Sequence, residues 1–172
     1  MNTSMIQVND GNKMLGYMKS PIGLLKITAS DTAVTSVERI ISAEEGQVEM
    51  EDKTIENPFI RQCREELQEY FTGRRQSFDV PLAPSGTSFQ QCVWNALCQI
   101  PYGQTRTYGE IAKMAGNPKA SRAVGMANHR NPILILIPCH RVIGADGSLT
   151  GYAAGLEIKK YLLQLEKENG HG

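Results

Sequence analysis

The sequence predicts an α+β protein of two domains. The first, residues 1–83, is a small α/β domain with an antiparallel sheet, and the second, residues 84–172, is mostly helical and contains a helix-turn-helix. Strand signals are confined to the first part, whereas helix-start signals recur in the second. Pro81, Pro84 and Gly86 mark a linker between the two parts.

Strand signals open the N-terminal domain. Residues 1–14 are polar and lack a period, so we expect a frayed end. Apolar and β-branched residues at 23–28 and 33–37 predict two short strands with a turn at 30–32. Acidic residues dominate 43–56, which we expect to form a mobile loop.

One helix and a further strand complete this domain. Asn57 and Pro58 supply an N-cap and a first-turn proline, and Gly73 follows the last periodic residue of the helix. Residues 78–82 are expected to form the strand before the linker.

Two capping boxes open helices of the C-terminal domain. Thr87 and Gln90 form the first, and Thr107 and Glu110 form the second. The buried stripe of the first helix is predicted to be Phe89, Val93, Trp94 and Leu97.

A tight turn at Gly116–Pro118 then separates two short helices, the second over 119–128 and rich in small residues. This is the pattern of a helix-turn-helix, and small residues let a helix approach a DNA groove closely. A helical hairpin without DNA contact remains open as an alternative. The last helix spans 156–169, with apolar positions at Leu156, Tyr161, Leu162 and Leu165.

Charge is unevenly distributed along a chain whose formal net charge is zero. Residues 44–69 hold nine acidic side chains against three basic ones. Residues 104–142 hold one acidic side chain, Glu110, and the basic residues there are Arg106, Lys113, Lys119, Arg122, Arg130 and Arg141. The basic stretch predicts a local DNA-binding face, with a solvated basic surface as the alternative.

Composition excludes several other classes. No stretch approaches the roughly 18–20 apolar residues of a membrane helix, and no secretion signal is evident, so we expect a soluble intracellular protein. The four cysteines lack the spacing of a disulfide framework, and with three histidines they form no zinc motif. We therefore expect reduced thiols and no metal.

Cys139 and His140 follow an apolar run at 133–137, which we expect to be a buried extended segment that reaches the surface. A free thiol has a pKa of about 8.5, so a nucleophilic cysteine needs a base, and His140 is the nearest. Neighbouring side chains of an extended chain point apart, so we expect a water between thiol and imidazole, with Glu166 orienting the imidazole. On these residues alone, a buried structural cysteine remains open.

A linked set of motifs extends through residues 84–166. In order, the motifs are Gly86–Gln90, Val93–Trp94, Ile100–Gly103, Thr107–Tyr108, Ala115–Pro118, Arg122–Gly125, Asn131–Pro132, Ile137–Val142 and Gly151–Tyr152. In order and spacing this set resembles the O6-alkylguanine-DNA alkyltransferases, also called methylated-DNA–protein-cysteine methyltransferases. Ser20–Gly23 resembles the N-terminal half of that family more loosely.

The resemblance implies stoichiometric DNA repair by direct damage reversal, in which Cys139 takes the alkyl group from guanine O6 and keeps it as a thioether. The implied partner is double-stranded DNA containing O6-alkylguanine, whose damaged base is flipped into a pocket. O4-alkylthymine is left open as a further substrate. No cofactor is needed, because the damaged DNA is the alkyl donor. We expect a monomer, cytoplasmic or, in a eukaryote, nuclear.

The resemblance also assigns a set of DNA-binding residues. Arg122 would enter the duplex in place of the flipped base, with its helix in the minor groove. Ala123, Gly125 and Ala127 would let that helix fit the narrow groove, and Arg130 is assigned to the same set.

Further roles follow from matching positions. Tyr108 would donate a proton or hydrogen bond to a guanine ring nitrogen as the displaced base gains negative charge. Asn131 would hold the turn between the DNA-binding helix and the nucleophile. His140 and Glu166 would take the relay roles described above.

The pocket residues are implied in the same way. Cys139 and Val142 would offer backbone carbonyls to the exocyclic amine of guanine, the Ala153 N–H would face O6, and Tyr152 would form a wall. Ala154 stands where the family often has glycine, which puts tolerance of bulky alkyl groups in doubt. Some relatives bind zinc in the N-terminal half, but here that half has one cysteine and no histidine.

Three competing functions can be compared with this one. Non-catalytic alkyltransferase-like proteins carry tryptophan at the nucleophile position, where this chain has Cys139. A helix-turn-helix regulator would leave Cys139 and His140 unexplained. A cysteine hydrolase acting on small amides or esters would leave Arg122 and its helix without a purpose.

Overall fold

The computed structural model describes residues 14–40 and 57–170, and the chain divides into two compact units, Met1–Pro84 and Ser85–Gly172. The α+β class is confirmed, since the first unit contains an antiparallel sheet and the second is mostly helical. The predicted frayed end, apart from Met14, and the predicted acidic loop at 43–56 lie outside the described residues.

The sheet of the first unit has the antiparallel order β1 (Met14–Ser20), β2 (Gly23–Ala29) and β3 (Val34–Arg39). The two predicted strands correspond to β2 and β3. The sequence did not predict β1, because its inward positions are Gly16 and Met18 whereas Leu15 is 47% exposed. That order of side chains weakens the apolar alternation by which a strand is identified.

Helix α1 (Pro58–Phe71) begins as predicted. Asn57 Oδ1 accepts the N–H groups of Phe59 and Ile60 at 2.8 and 3.1 Å. Gly73, with φ of 80°, follows the end of the helix. Local capping residues therefore set both ends of α1.

The strand predicted at 78–82 is wrong. Within the described residues this segment makes only an isolated bridge, to Val34. The N–H groups of Asp79 and Val80 donate to the carboxylate of buried Glu66 on α1, at 2.9 and 3.2 Å. The Glu66 carboxylate thus accepts the backbone N–H groups that a strand would need for hydrogen bonds to a neighbouring strand.

The second unit contains α2 (Ser88–Leu97), α3 (Tyr108–Met114), α4 (Ser121–His129) and α5 (Leu156–Asn169). It also contains a short pair of parallel strands, β4 (Arg106–Thr107) and β5 (Val142–Ile143). Both predicted capping boxes form, at the starts of α2 and α3. Helices α3 and α4 pack together across the predicted turn, although α4 begins at Ser121 rather than at 119.

Trp94 lies at the centre of this unit, as predicted. It is 2% exposed, and its Nε1 donates to the Ala127 carbonyl of α4 at 2.9 Å. Phe89, expected on the same buried stripe, is only half-buried. A Cβ on Gly86 would lie 2.5 Å from the Trp94 ring, so the chain must have glycine there to pass the indole.

Helix α5 has the predicted bounds, but apart from Leu162 its buried side chains are not the apolar positions named from the sequence. Leu156 and Tyr161 are 50% and 38% exposed, whereas Lys159, Leu162 and Glu166 are buried. Within the described residues, no helix has the length and apolar character needed to cross a membrane.

Candidate active site

The segment that precedes the predicted nucleophile is buried as predicted, but it is a turn, so the extended conformation expected at 133–137 is wrong. Within the described residues Ile135 is the only non-glycine with positive φ, 73°. Asn131 holds both ends of the turn, since its Oδ1 accepts the Ile133 N–H at 2.9 Å and its Nδ2 donates to the Ile137 carbonyl at 2.7 Å. A β-branched residue is strained in that conformation, and these hydrogen bonds help to maintain it.

Cys139 begins a 3-10 helix, Cys139–Arg141, and its side chain is buried. The sulfur accepts a hydrogen bond from Asn131 Nδ2 at 3.1 Å. Burial raises the pKa of Cys139 to about 11, which the Asn131 hydrogen bond and the Lys159 charge offset only in part. At pH 7 a thiol with that pKa is thiolate to about one part in 10⁴, so a nucleophilic role requires a proton acceptor.

His140 and Arg141 converge on the carboxylate of Glu166. His140 Nε2 lies 2.7 Å from Glu166 Oε2, and Arg141 donates through Nε at 2.8 Å and Nη2 at 3.0 Å. Burial raises the pKa of Glu166, but the hydrogen bonds and charges of His140 and Arg141 outweigh it and hold that pKa well below its usual range. Glu166 is therefore an anion in the core of this unit.

Arg141 corrects one sequence prediction. It was counted with the basic residues of a DNA-binding face, but it is only 6% exposed and is paired with Glu166. Its Nη1 donates to the Ile100 carbonyl at 2.7 Å, and its guanidinium lies 5.7 Å from the centre of the Tyr102 ring. Arg141 is a structural partner of the Glu166 carboxylate and not part of the surface.

The two ring nitrogens of His140 have different surroundings. Nε2 faces the ionised Glu166, while Nδ1 is buried with no hydrogen-bond partner among the described residues. Burial lowers the pKa of His140, and the neighbouring carboxylate opposes that effect only in part. A neutral ring with its proton on Nε2 has its lone pair on Nδ1. The arrangement therefore provides a proton acceptor next to Cys139 in the chain.

Lys159 is a candidate that sequence reasoning missed. It is 1% exposed, and its Nζ donates to the Thr150 carbonyl at 2.8 Å. The Tyr108 hydroxyl donates to the same carbonyl at 3.0 Å. Burial lowers the pKa of Lys159, whereas interaction with Cys139 raises it. The Thr150 carbonyl therefore accepts hydrogen bonds both from Lys159, whose charge interacts with Cys139, and from Tyr108, which is predicted to contact the guanine ring.

The spacing of Lys159 could have revealed it. Lys159, Leu162 and Glu166 follow an i, i+3, i+7 pattern and occupy one stripe of α5. Only apolar positions of this helix are named from the sequence, because a lysine is almost never fully buried unless it is paired.

The predicted pocket residues differ in burial. Val142 is fully buried, Tyr152 is 7% exposed, and Ala153 is exposed. Burial raises the pKa of Tyr152 well above its usual value, so its hydroxyl stays protonated. A Cβ at Gly151, where φ is 63°, would lie 3.3 Å from the Tyr108 hydroxyl, so glycine keeps the space beside that hydroxyl open.

A cavity of about 480 Å³ lies along the exposed face of α4. Its lining includes Tyr108, Arg122, Gly125, Met126, Arg130 and Thr150. None of the described residues that line it is acidic, and Arg122 makes no ion pair within 14–40 and 57–170. The cavity is therefore a basic concave surface with Tyr108 in its wall.

The small residues predicted to face DNA do not share one surface. Ala123 is exposed, and Gly125 lines the cavity. Ala127 is 2% exposed, so the structure contradicts its place on the DNA-facing surface. Two residues along an α-helix turn by about 200°, which directs Ala127 away from the face of Gly125.

The described residues hold no group of three or more histidine, cysteine, aspartate or glutamate side chains arranged to bind a metal ion.

Comparisons with known proteins cover both units. The family described as "6-O-methylguanine DNA methyltransferase, ribonuclease-like domain" matches residues 14–84, and that described as "6-O-methylguanine DNA methyltransferase, DNA binding domain" matches residues 88–168. The methylated-DNA–protein-cysteine methyltransferase of Methanosarcina acetivorans is 56% identical over 149 residues, which are 86% of this chain and 94% of that protein. The constitutive enzyme of that name from Bacillus subtilis is 44% identical over 156 residues, 87% of this chain and 92% of that protein.

Solved structures agree in fold. Mycobacterium tuberculosis OGT in complex with DNA is 43% identical with a TM-score of 0.78, covering 90% of this chain and 93% of that chain. An O6-methylguanine DNA methyltransferase from Methanococcus jannaschii is 27% identical with a TM-score of 0.64, covering 88% and 92%.

Proposed function

The chain belongs to the 6-O-methylguanine DNA methyltransferase family, whose members repair DNA by moving an alkyl group onto one of their own cysteines, and on that premise we propose Cys139 as the acceptor. The proposed substrate is O6-alkylguanine in double-stranded DNA. One observation carries the assignment. The buried Cys139 thiol is hydrogen-bonded to Asn131, and the next residue, His140, is hydrogen-bonded to the ionised Glu166.

The other cysteines lack this setting. Cys63 lies in the first unit, and burial raises its pKa to about 12. Cys92 and Cys98 are exposed, and neither has a histidine next to it in the chain. Cys139 is thus the cysteine that has a proton acceptor as its neighbour in the chain.

In the proposed reaction the Cys139 proton passes to His140 Nδ1, directly or through one water. The sulfur then attacks the alkyl carbon, so that an S–C bond forms as the C–O6 bond breaks. Glu166 stabilises the imidazolium that results, and Lys159 favours the thiolate electrostatically.

Guanine leaves with the electron pair of the broken bond and takes up one proton, which balances the proton lost by the thiol. The Tyr108 hydroxyl turns from the Thr150 carbonyl to donate a hydrogen bond to a ring nitrogen as that charge develops, and the Ala153 N–H faces O6. The carbonyls of Cys139 and Val142 hold the exocyclic amine, beside Tyr152. A thioether has no leaving group comparable to guanine, so each molecule reacts once.

DNA is proposed to bind along the cavity on α4. Arg122 is exposed there without an ion pair among the described residues, and Arg130 and Gly125 line the same surface. A free guanidinium on a basic concave face suits insertion into a duplex from which a base has been flipped.

The competing functions account for less of this geometry. A helix-turn-helix regulator has no use for a buried thiol beside a histidine–carboxylate pair. A cysteine hydrolase has no use for a basic helix whose free arginine lines the adjoining cavity.

Intact mass tests the assignment. After incubation with a duplex containing O6-methylguanine, we expect a gain of one methylene unit per chain, located on Cys139 and absent in Cys139→Ser. An unchanged mass with retained lesion binding would favour a recognition protein instead.

We also propose a monomer that is cytoplasmic, or nuclear in a eukaryotic cell. The one-to-one stoichiometry of self-alkylation needs no second subunit. Light scattering of the free protein tests the monomer, because a dimer mass at micromolar concentration would contradict it. Fluorescence imaging of the tagged full chain tests the location.

A further inference from the structure

The exposed face of α4 carries a large apolar side chain that the proposed reaction leaves without a role. Met126 is 62% exposed and lines the cavity of about 480 Å³ that Arg122 also lines. Because the two residues are four apart on one helix, their side chains lie on the same face.

We propose that Met126 is a DNA-contacting residue, whose thioether packs against sugars and base edges of the minor groove beside Arg122 and tightens the hold on the duplex. The proposal rests on the proposed function, in which α4 approaches the DNA.

The charge around Met126 favours nucleic acid as the occupant. Arg122, His129 and Arg130 line the same cavity, and none of the described lining residues is acidic. A protein or lipid partner held by apolar contact alone would not require this concentration of basic groups. Polyanionic DNA satisfies both the charge and the concave shape.

The shape of the surface favours contact by the methionine itself. Its neighbours along the cavity include Ser121 and Gly125, which are small and leave the longer side chain of Met126 exposed to a partner. Minor-groove proteins use apolar side chains, methionine included, as wedges between base steps. Methionine is also flexible and polarizable, which suits a surface that meets different sequences.

An apolar contact predicts a particular signature. Removing it weakens duplex binding but leaves the dependence of binding on salt unchanged, because no phosphate contact is lost. Removing an arginine that contacts phosphate lowers the slope of log K against log salt by about one. The slope therefore separates Met126 from its basic neighbours.

The test compares Met126→Ala and Met126→Gln with a matched control, Met114→Ala. Met114 is 45% exposed on α3 and lies outside the cavity. The probes are an undamaged duplex for affinity, a duplex containing O6-methylguanine for single-turnover transfer, and the free alkylated base. Both Met126 variants should bind and repair the duplex about tenfold less well, with an unchanged salt slope. They should react normally with the free base, and the control should match wild type.

Two outcomes overturn the proposal. Wild-type duplex binding by Met126→Ala means that the side chain makes no contact, and wild-type binding by Met126→Gln means that the contact is not apolar. Failure of the proposed function is distinguishable, because the wild-type chain itself would then transfer no methyl group from the O6-methylguanine duplex to Cys139.

Discussion

Replacing Glu166 with glutamine should reverse the tautomer of His140. Glutamine keeps the shape, but an amide nitrogen placed opposite Nε2 donates where the carboxylate accepted at 2.7 Å. The ring proton would then move to Nδ1, which could no longer take a proton from the thiol. A comparable change in a serine-protease triad costs about 10⁴ in kcat, so we expect transfer to slow by about 10²–10⁴.

The same substitution also removes the charge that compensates Arg141, which holds Glu166 through contacts of 2.8 and 3.0 Å. An unpaired buried charge costs about 3–5 kcal/mol. The pKa of Glu166 is depressed in the folded chain, so its ionised form stabilises the fold above its ordinary value of 4.5, and this contribution is lost as pH falls below it. Glu166→Gln should therefore flatten the acid side of the stability curve.

Both effects can be measured on one protein. Trp94 is the only tryptophan and is buried in the same unit, so its fluorescence follows unfolding in urea. Transfer of a labelled methyl group from duplex DNA is then timed where the variant is still folded. Glu157→Gln, in the exposed first turn of α5, is the matched control. A folded Glu166→Gln protein that reacts within about threefold of wild type would refute the tautomer reasoning.

Three further predictions concern neighbouring groups. Asn131→Ala should slow transfer about tenfold or more, because the Asn131 amide is hydrogen-bonded both to the strained turn and to the Cys139 sulfur. Single-turnover kinetics measures this, and an unchanged rate would contradict it. Lys159→Met should raise the pKa of Cys139 above about 11, shifting the pH profile of thiol alkylation upward; an unmoved profile contradicts the coupling. Gly86→Ala should lower the free energy of unfolding in urea by about 1–3 kcal/mol, because its Cβ would lie 2.5 Å from the Trp94 ring. Gly147→Ala is the control, since Gly147 is exposed and a Cβ there adds only the strain of a positive φ.

Local signals predicted much of the fold correctly. The N-cap at Asn57 and the capping boxes at Thr87 and Thr107 all depend on residues within one helical turn of one another. Such contacts are encoded by spacing alone, so they can be identified without a tertiary structure.

Predictions failed where a distant group changed the local outcome. The strand expected at 78–82 loses its donors to Glu66, which lies 13 residues before Asp79. The run at 133–137 is apolar enough for a strand, but Asn131 bonds it into a turn. Periodicity describes which side chains prefer burial and carries no information about which backbone donor finds which acceptor.

The order of residues was enough to identify the family, because a thiol, an imidazole and an arginine occur in a linked set of motifs around Cys139, His140 and Arg122. Tertiary packing alone decided that Arg141 leaves the basic surface to pair with Glu166, and that Lys159 is buried where it couples to the thiol. The physical reason is that burial raises the free-energy cost of an unpaired charge, so each charged side chain adopts the partner that the fold brings near it.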